Sequence, residues 1–126
     1  MDFLLDTHVF LWWDSSAREL GREAVSVIAD AENRVFVSAA SVWEIAIKQK
    51  ARRLSFAGSP AEAIARNGFL PLAILPIHAE RAAALPPLHQ DPFDRMLVAQ
   101  AQAAALTLIT ADKRVSAYAV PRLWAR

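Results

Sequence analysis

The sequence predicts an α/β fold in which a parallel sheet is covered by helices on both faces. Segments with strand character alternate along the chain with segments whose apolar residues recur at helical spacing. The strand segments, such as 3–5 and 106–110, read as largely continuous apolar runs, which is typical of strands buried on both faces. In such sheets ligands bind beyond the carboxyl ends of the strands, so polar residues at those ends become functional candidates.

The first half of the chain already shows this alternation. In order, the sequence predicts a strand over 2–6, an apolar turn or short helix over 9–13, a helix over about 17–31, a strand over 35–37, a helix from 41 to about 52 and a helix from 59 to about 67. Ser16 stands three residues before Glu19, as in a capping box, and is predicted to cap the helix over 17–31. Ser41 is the predicted cap of the next helix, and Gly68 is predicted to end the helix that a Ser-Pro pair begins.

The second half continues the pattern. The sequence predicts a strand over 72–75, a helix over 78–85 that a Pro-Pro pair ends, a helix over 92–105, a strand over 106–110, a short helix over 112–118 and a terminal piece over 120–123. Pro92 is tolerated at the first position of its helix, where its missing N–H is not needed. Asp91 directly precedes it and is better explained as an N-cap than as a catalytic group.

Length and composition predict one domain over residues 1–126. A chain of 126 residues can bury a core without disulfides, and it contains no cysteine. The first residues do not form a basic segment followed by an apolar one, and no run approaches the roughly 18 apolar residues of a membrane span. We therefore expect a soluble protein in a cytoplasmic setting, without membrane association.

Four acidic residues interrupt apolar stretches and are the strongest functional candidates. Asp6 ends the first strand and Asp112 follows the strand over 106–110, while Glu44 and Asp94 are predicted to lie in the first turns of their helices. Carboxylates are rarely placed in such apolar surroundings without a partner. Because the carboxyl ends of parallel strands lie at one edge of the sheet, we expect the four side chains to converge there.

Convergence of four carboxylates would have to be balanced by opposite charge. At separations of about 5 Å and an effective dielectric constant of about 20, each pair repels by roughly 3 kcal/mol. All pairs together would oppose folding by up to roughly 20 kcal/mol, which exceeds the roughly 5–15 kcal/mol by which a domain is stable. Such a cluster must be protonated, paired with cations or bound to metal, and hard divalent cations suit oxygen ligands best.

Each of these acids also has an ordinary structural explanation. Asp6 and Asp112 could cap the turns that follow them, and Asp94 could complement the dipole of its own helix. Glu44 could pair with Lys48 one helical turn later.

The histidines and threonines near the acids are weaker candidates. His8 is a candidate for contacting phosphate, whereas His78 and His89 are interpreted as ordinary helix-end residues. Thr7 and Thr110 could donate hydrogen bonds to the acids, or equally to the local backbone.

Two further features suggest binding surfaces. The net charge is only +1, but four basic residues crowd into 48–53, where they form either a solvated helix end or a track for a phosphate backbone. Phe10, Trp12, Trp13 and Trp43 are many aromatic residues for a core of this size. They either pack in the core or form an exposed apolar patch that meets a protein partner.

Four segments around the acids resemble a known family. In order along the chain they are LLDTH (4–8), SAASVWEIAIK (38–48), HQDPFDRMLVAQA (89–101) and LTLITAD (106–112). Together they resemble the PIN-domain ribonucleases, specifically the VapC-type toxins of bacterial toxin–antitoxin pairs. The resemblance covers nearly the whole chain, and four segments in order at these separations are a specific signal.

This resemblance implies a PIN-like three-layer domain, with a central parallel sheet flanked by helices, that acts as a metal-dependent endoribonuclease and toxin. Its acidic pocket would bind Mg²⁺ or Mn²⁺ through Asp6, Glu44, Asp94 and Asp112, which are also the implied catalytic residues. Asp6 and Asp94 are the best direct ligands, and Glu44 and Asp112 would ligate, orient water or support the other ligands. The implied partners are an RNA substrate, a VapB-like antitoxin whose tail lies across the active-site groove, and a second copy of the chain in a homodimer.

One segment departs from the family pattern. Relatives usually carry a Gly-Lys pair after the glutamate helix, where this chain has Arg52-Arg53. The departure affects the local turn and substrate preference rather than the implied chemistry.

Two other functions remain as alternatives. A Mg²⁺-dependent phosphatase or phosphotransfer domain also groups acids beyond a parallel sheet, but Asp6 is followed by Thr7-His8 rather than completing Asp-x-Asp, and no adjacent acidic pair of the receiver type occurs early in the chain. A PIN-like module that binds RNA or protein without cleavage is disfavoured because all four acids are present.

Overall fold

A parallel sheet of five strands forms the centre of the protein. The computed structural model describes residues 1–126. The strands are β1 (Asp2–Leu5), β2 (Arg34–Ser38), β3 (Leu70–Leu72), β4 (Thr107–Thr110) and β5 (Arg122–Trp124). They lie in the order β3-β2-β1-β4-β5, and every neighbouring pair is parallel.

Helices cover both faces of this sheet. They are α1 (Thr7–Asp14), α2 (Arg22–Ala29), α3 (Ala39–Lys50), α4 (Pro60–Arg66), α5 (Pro76–Ala84) and α6 (Pro92–Ala104), followed by a short 3₁₀ helix at Lys113–Ala117. Phe3 and Leu5 pack on one face with α1, α2 and α4, whereas Leu4 packs on the other with α6. The predicted three-layer α/β fold is therefore confirmed. None of the helices is long and apolar enough to span a membrane.

The strand order places the ends of β1 and β4 at a switch in the direction of the chain. From the central β1 the chain passes outward to β2 and β3, and then returns to β4 on the opposite side of β1 before continuing to β5. In open parallel sheets the crevice at such a point is the usual ligand site. Asp6 follows β1 and Asp112 lies two residues beyond β4, so the two strand-end acids stand at this point.

In the structure α3 begins earlier in the chain than predicted. Ser38, not the predicted Ser41, is the N-cap, and its side-chain oxygen accepts from the Ala40 amide at 3.0 Å. Ser41 is instead buried and its hydroxyl accepts from Thr7 Oγ1 at 2.9 Å. Because α3 begins at Ala39, Glu44 lies in its second turn, and the prediction of a first-turn position is wrong.

The predicted capping box at Ser16 is also wrong. Ser16 has a φ of 55° and follows the end of α1, where its amide and that of Ala17 donate to the carbonyls of Trp13 and Trp12. This pair of bonds is a Schellman motif, so the serine ends one helix rather than starting the next. The following helix is accordingly shorter than predicted and begins at Arg22, after Gly21.

The same motif ends α3 at the position where the family pattern has glycine. Arg52 has a φ of 58°, and the amides of Arg52 and Arg53 donate to the carbonyls of Gln49 and Lys48 at 3.0 and 2.8 Å. A left-handed backbone costs a side-chain-bearing residue about 1 kcal/mol or more relative to glycine. Despite this cost, the two hydrogen bonds of the turn are formed with arginine at this position.

Most other boundaries differ by a few residues only. The third strand covers Leu70–Leu72 instead of 72–75, because its register pairs Leu70 with Phe36 and Leu72 with Ser38. The next helix begins at Pro76, and the ring of His78 accepts from the Leu75 amide at its start. The helices from Pro60 and Pro92 begin as predicted, with Ser59 and Asp91 as their N-caps.

Arg95 ties together the loop that joins α5 to α6. Its Nη2 donates to the carbonyls of Ala82 and Leu85 at 2.8 and 2.9 Å, and its Nη1 donates to Pro86 O at 3.0 Å. The hydroxyl of Tyr118 reaches the same loop, donating to Pro86 O at 2.8 Å and accepting from the His89 amide at 2.9 Å. One guanidinium thus provides donors for the end of a helix and holds the loop that leads to Asp94.

Replacing Arg95 with Met should therefore destabilise the protein. The side chain keeps its length but leaves two partly buried helix-end carbonyls without donors, and we expect a loss of about 2–3 kcal/mol in the free energy of unfolding. Urea denaturation measures the loss. The control is Arg81→Met on α5, where the exposed arginine makes only a 3.3 Å hydrogen bond to Gln102 and we expect a change of less than about 0.5 kcal/mol. Equal changes for the two variants would contradict the role of the Arg95 network.

Candidate functional site

Asp6 is buried at the carboxyl end of β1. Its Oδ1 accepts from the Val9 amide at 2.9 Å, which makes Asp6 the N-cap of α1, and its Oδ2 accepts from Thr110 Oγ1 at 2.5 Å. The Asp6 amide donates to Ile109 O at 3.0 Å. The capping role considered for Asp6 is therefore present, and it holds the carboxylate at the switch point of the sheet.

Asp112 is held at the carboxyl end of β4 by backbone and side-chain hydrogen bonds. Its amide donates to Thr110 Oγ1 at 3.0 Å, so one hydroxyl connects it to Asp6. The Arg114 guanidinium contacts both carboxylate oxygens, with Nε 3.1 Å from Oδ1 and Nη2 3.0 Å from Oδ2. Asp112 also caps the 3₁₀ helix by accepting from the Arg114 amide at 2.9 Å, so its ordinary structural role is present as well.

His89 bridges two of the predicted acids, and its interpretation as an ordinary helix-end residue is wrong. The ring is buried, with Nε2 3.0 Å from Asp94 Oδ2 and 3.2 Å from Asp112 Oδ2. The Asp91 amide donates to Nδ1 at 3.1 Å, so in the neutral ring the proton lies on Nε2 and is donated toward the two carboxylates. The sequence shows only that His89 stands two residues before the N-cap of the helix that carries Asp94, which does not reveal the bridge.

Glu44 lies in the second turn of α3. It is buried, and its Oε2 accepts from Lys48 Nζ at 2.7 Å, which is the pairing that the sequence suggested. Its Oε1 is buried without a hydrogen-bond partner. One turn earlier, Ser41 bonds to Thr7, the residue after Asp6, so the helix that carries Glu44 is fastened next to the Asp6 position.

The four acids do not form one tight cluster in the structure. Ligand atoms of His89, Asp94 and Asp112 all lie within 4.8 Å of one another, whereas Asp6 and Glu44 lie outside that group. The link from Asp6 to Asp112 runs through the Thr110 hydroxyl. Because each acid also has its own donor, the repulsion of about 20 kcal/mol that four bare carboxylates would produce is an overestimate.

Burial and neighbouring charge shift the pKa values of three acids. Burial, together with the charges of Asp91, Asp6 and Asp112 and against the effect of His89, raises the pKa of Asp94 to about 7. Burial also raises the pKa of Asp6, against the hydrogen bonds from Thr110 and Val9.

Asp112 behaves in the opposite way. Partial burial alone would raise its pKa, but hydrogen bonds from the Arg114 side chain and backbone and from His89 outweigh this effect and lower it to about 2. At neutral pH Asp112 is therefore a carboxylate already matched by a cation, whereas Asp94 still carries a large electrostatic penalty when ionised.

These residues fit a hard divalent cation. The buried Oε1 of Glu44 lacks a partner, and burial and nearby acids raise the pKa of Asp94 because its ionised carboxylate is not fully compensated by the protein. A cation with oxygen ligands would satisfy both groups. His89 is close enough to be a ligand, but its Nδ1 accepts an amide proton, so binding a metal through Nε2 would require loss of the proton that bridges the acids.

The other sequence candidates are more dispersed. Lys48 is paired with Glu44, whereas Lys50, Arg52 and Arg53 are exposed. This exposure agrees both with a solvated helix end and with a track for a phosphate backbone. His8 is exposed beside the site. Thr110 donates to an acid as considered, but Thr7 does not, because it donates to Ser41.

Only one of the four singled-out aromatic residues is largely exposed. Phe10 is fully buried, and Trp12 and Trp13 are half-buried against the core. Trp43 is 61% exposed, and its ring lies 5.3 Å from that of Phe93 in an edge contact between α3 and α6. Core packing thus accounts for three of them.

Comparison with known proteins agrees with this geometry. The family model described as PIN domain matches residues 3–121, which include all four acids. The chain belongs to the PIN-domain family. It is 32% identical to a protein named ribonuclease VapC22 from Mycobacterium tuberculosis, and the match covers 94% of this chain and 93% of that protein. The resemblance to VapC-type PIN domains is thereby confirmed.

Solved structures show the same fold. A chain of the VapBC2 complex from Rickettsia felis, crystallised with a promoter DNA fragment, covers 100% of both chains with a TM-score of 0.71 at 12% identity. A toxin–antitoxin complex from Klebsiella pneumoniae gives a TM-score of 0.63 at 22% identity, with 96% of this chain and 95% of that chain covered. At these identities the structural matches support the PIN fold of the chain.

The metal-free PIN domain should lose stability as the pH rises. An acid whose pKa is raised by folding stabilises the folded state below its unfolded value of 3.8, and this stability is lost as the pH rises through about 7. We expect the free energy of unfolding in a chelator to be larger at pH 5 than at pH 8, with Asp94 contributing about 2–3 kcal/mol to the difference. Asp6 contributes in the same direction.

Chemical denaturation of Asp94→Asn isolates this contribution. The variant cannot ionise at position 94, so its stability should change less between the two pH values than that of the parent. The same pH dependence in both proteins would show that Asp94 is not the group concerned.

Proposed function

We propose that this PIN domain is a metal-dependent endoribonuclease that acts as the toxin of a VapBC-type pair. The observation that carries the proposal is the meeting of Asp6, Asp94 and Asp112 at the switch point of the sheet, together with the buried, unpaired Oε1 of Glu44 on the helix that Ser41 fastens to Thr7. The relative named ribonuclease VapC22 and the toxin–antitoxin titles of the structural matches support the RNA substrate and the antitoxin partner.

We propose that the four carboxylates hold Mg²⁺ or Mn²⁺, with Asp6 and Asp94 as the principal ligands. When bound, the cation would activate water for attack on phosphorus and stabilise the charge on the leaving oxygen. Thr110 and the Val9 amide fix the orientation of Asp6, while each of its oxygens keeps a free lone pair. His89 holds only Oδ2 of Asp94 and so leaves Oδ1 available. Asp112, already matched by Arg114, orients His89.

Cation binding should be coupled to proton release. Because the pKa of Asp94 is about 7, a large share of metal-free molecules carry a proton there at neutral pH. A ligand carboxylate must be ionised, so the cation competes with that proton. Occupancy at a fixed metal concentration should therefore rise with pH.

The competing functions are less well supported. A PIN-like module that binds RNA or protein without cleavage needs no buried glutamate with a free oxygen, and here Glu44 has one. A phosphatase or phosphotransfer function is disfavoured because the chain belongs to the PIN-domain family. The homodimer, the single-domain organisation over 1–126 and the cytoplasmic setting are further parts of the proposal.

Expression of the parent chain alone should arrest bacterial growth, and the purified protein should cleave total RNA only when Mg²⁺ or Mn²⁺ is added. Asp94→Asn keeps the size of the side chain but removes a ligand charge, so cleavage should fall on the order of 100-fold or more and growth should continue. The matched control is Asp30→Asn at the exposed end of α2, which should remain toxic and active. A folded Asp94→Asn protein that cleaves at the parent rate would rule out the assignment.

Metal binding can be measured without activity. A cation that binds only the folded state stabilises it by about 2.7 kcal/mol at 100 times its dissociation constant, so the melting temperature should rise with added Mg²⁺ or Mn²⁺. Asp6→Asn and Glu44→Gln should each reduce that rise, whereas Asp30→Asn should not. An unchanged melting curve at millimolar metal concentrations would contradict the site.

A further inference from the structure

A cleft opens at the carboxyl ends of β4 and β5. It is lined by Ala111, Lys113, Trp124 and Arg126 and has a volume of about 440 Å³. This volume lies within the roughly 300–1,000 Å³ of small-molecule sites, so the cleft has room for a planar ring system such as a nucleobase. Two lining residues, Ala111 and Lys113, flank Asp112 in the sequence, and a third, Trp124, pairs with Thr110, whose hydroxyl accepts from the Asp112 amide.

Trp124 is fixed on the strand that neighbours the site. In the parallel register Trp124 pairs with Thr110, and the Ala125 amide donates to Thr110 O at 2.8 Å. Thr110 is the residue whose hydroxyl holds Asp6. Because neighbouring strands lie about 4.8 Å apart, the backbone that carries Trp124 is one strand away from the backbone that orients the acids. Trp124 is nevertheless 38% exposed.

Three cations that take part in no ion pair lie at or beside this cleft, and one of them, Arg126, has its guanidinium 5.3 Å from the ring centre of Trp12. The Arg122 guanidinium lies 5.6 Å from the ring centre of Trp124, and Lys113 and Arg126 line the cleft. None of them takes part in an ion pair, although Arg34, Arg66 and Arg114 do. Unpaired cations around an exposed aromatic ring, next to an acidic pocket, complement a ligand that has both phosphate charge and a flat base.

We propose that this cleft binds a nucleotide of the RNA strand adjacent to the phosphate that is cleaved. The base stacks on Trp124, and Lys113 and Arg126 contact the phosphates on either side. The proposal rests on the proposed ribonuclease function and adds a substrate-binding site to it. Stacking on a tryptophan accepts any base, so the cleft contributes affinity and position along the strand rather than sequence recognition.

The chemistry of the cleft favours single-stranded RNA over a peptide. Aromatic platforms combined with positive charge are typical of proteins that bind single strands, where the backbone is attracted by cations and each base offers a π-face. A duplex would keep its bases stacked on one another and away from Trp124. An acidic peptide would use the cations but would gain little from a stacking surface.

Binding of a short single-stranded RNA to the Asp94→Asn protein tests the cleft without cleavage. Fluorescence anisotropy at several salt concentrations gives the affinity and its salt slope. In that background Trp124→Ala and Trp124→Leu should weaken binding roughly 5- to 100-fold, whereas Trp124→Phe, which keeps a stacking surface, should stay within about threefold of the parent. Lys113→Gln should lower the magnitude of the salt slope by about 0.7, the value for one phosphate contact on a single strand.

The matched control for charge is Arg34→Gln. Arg34 lies at the start of β2, at the end of the sheet opposite the carboxyl ends of the strands. Its guanidinium is also 5.6 Å from the centre of an aromatic ring, that of Phe36. Its removal should leave RNA affinity and salt slope unchanged. In the otherwise unsubstituted protein, Trp124→Ala should raise KM for RNA and leave kcat nearly unchanged, because the ring binds substrate away from the reacting atoms.

The results separate this inference from the proposed function. If the parent does not cleave RNA but binds it in a Trp124-dependent way, the cleft is supported and the ribonuclease function fails. If the parent cleaves RNA and all three Trp124 variants bind it equally, the cleft is overturned and the ribonuclease function stands. Binding of an acidic peptide that is lost in Trp124→Ala, with RNA binding unchanged, also overturns the inference.

Discussion

The carboxylate of Asp6 connects the sheet, the first helix and the site. It caps α1 through the Val9 amide, accepts the Thr110 hydroxyl from β4, and lies at the switch point of the strand order. Both oxygens are engaged by protein donors, so its position is set before any ligand binds. The cost is a buried charge whose pKa is raised by desolvation. The architecture therefore fixes one acid at the centre, and the other acids are placed relative to it.

The placement of those other acids leaves the charge incompletely balanced. Arg114 and His89 match Asp112, and Lys48 matches one oxygen of Glu44, but Asp94 shares a single histidine proton with Asp112. The protein folds because each acid has at least one donor, yet it retains an unpaired Oε1 and a carboxyl group with a pKa of about 7. A fully paired network would be more stable but would offer a cation nothing to gain. The residual imbalance is thus the feature suited to metal binding.

The sequence predicts the layers of this fold and the four acids, and it fails where long-range contacts decide the local structure. Ser41 and Ser16 both have the local pattern of an N-cap, but Ser41 is drawn into a bond with Thr7 and Ser16 follows the end of α1. Ser38 receives the capping role because β2 ends there. His89 could not be recognised as a bridge, since its two carboxylate partners lie 5 and 23 residues away along the chain and only the loop held by Arg95 sets the ring between them. The prolines, which restrict φ locally, mark helix starts correctly.

The distribution of charge also explains how a chain with a net charge of only +1 could bind a polyanion at an acidic site. Bare carboxylates would repel a phosphate backbone, so the proposed cation would serve both chemistry and approach. Cations next to the acids are divided into two groups. Arg114 is paired with Asp112 and stabilises the site, whereas Lys113 and Arg122 stand free around Trp124. Lys113 and Arg114 are consecutive residues, and the turn after Asp112 places the Arg114 guanidinium against that acid and leaves Lys113 to line the cleft. Attraction for the proposed RNA strand and repulsion at the acids can therefore coexist within one turn of the backbone, since at physiological ionic strength exposed charges act over only about 8 Å.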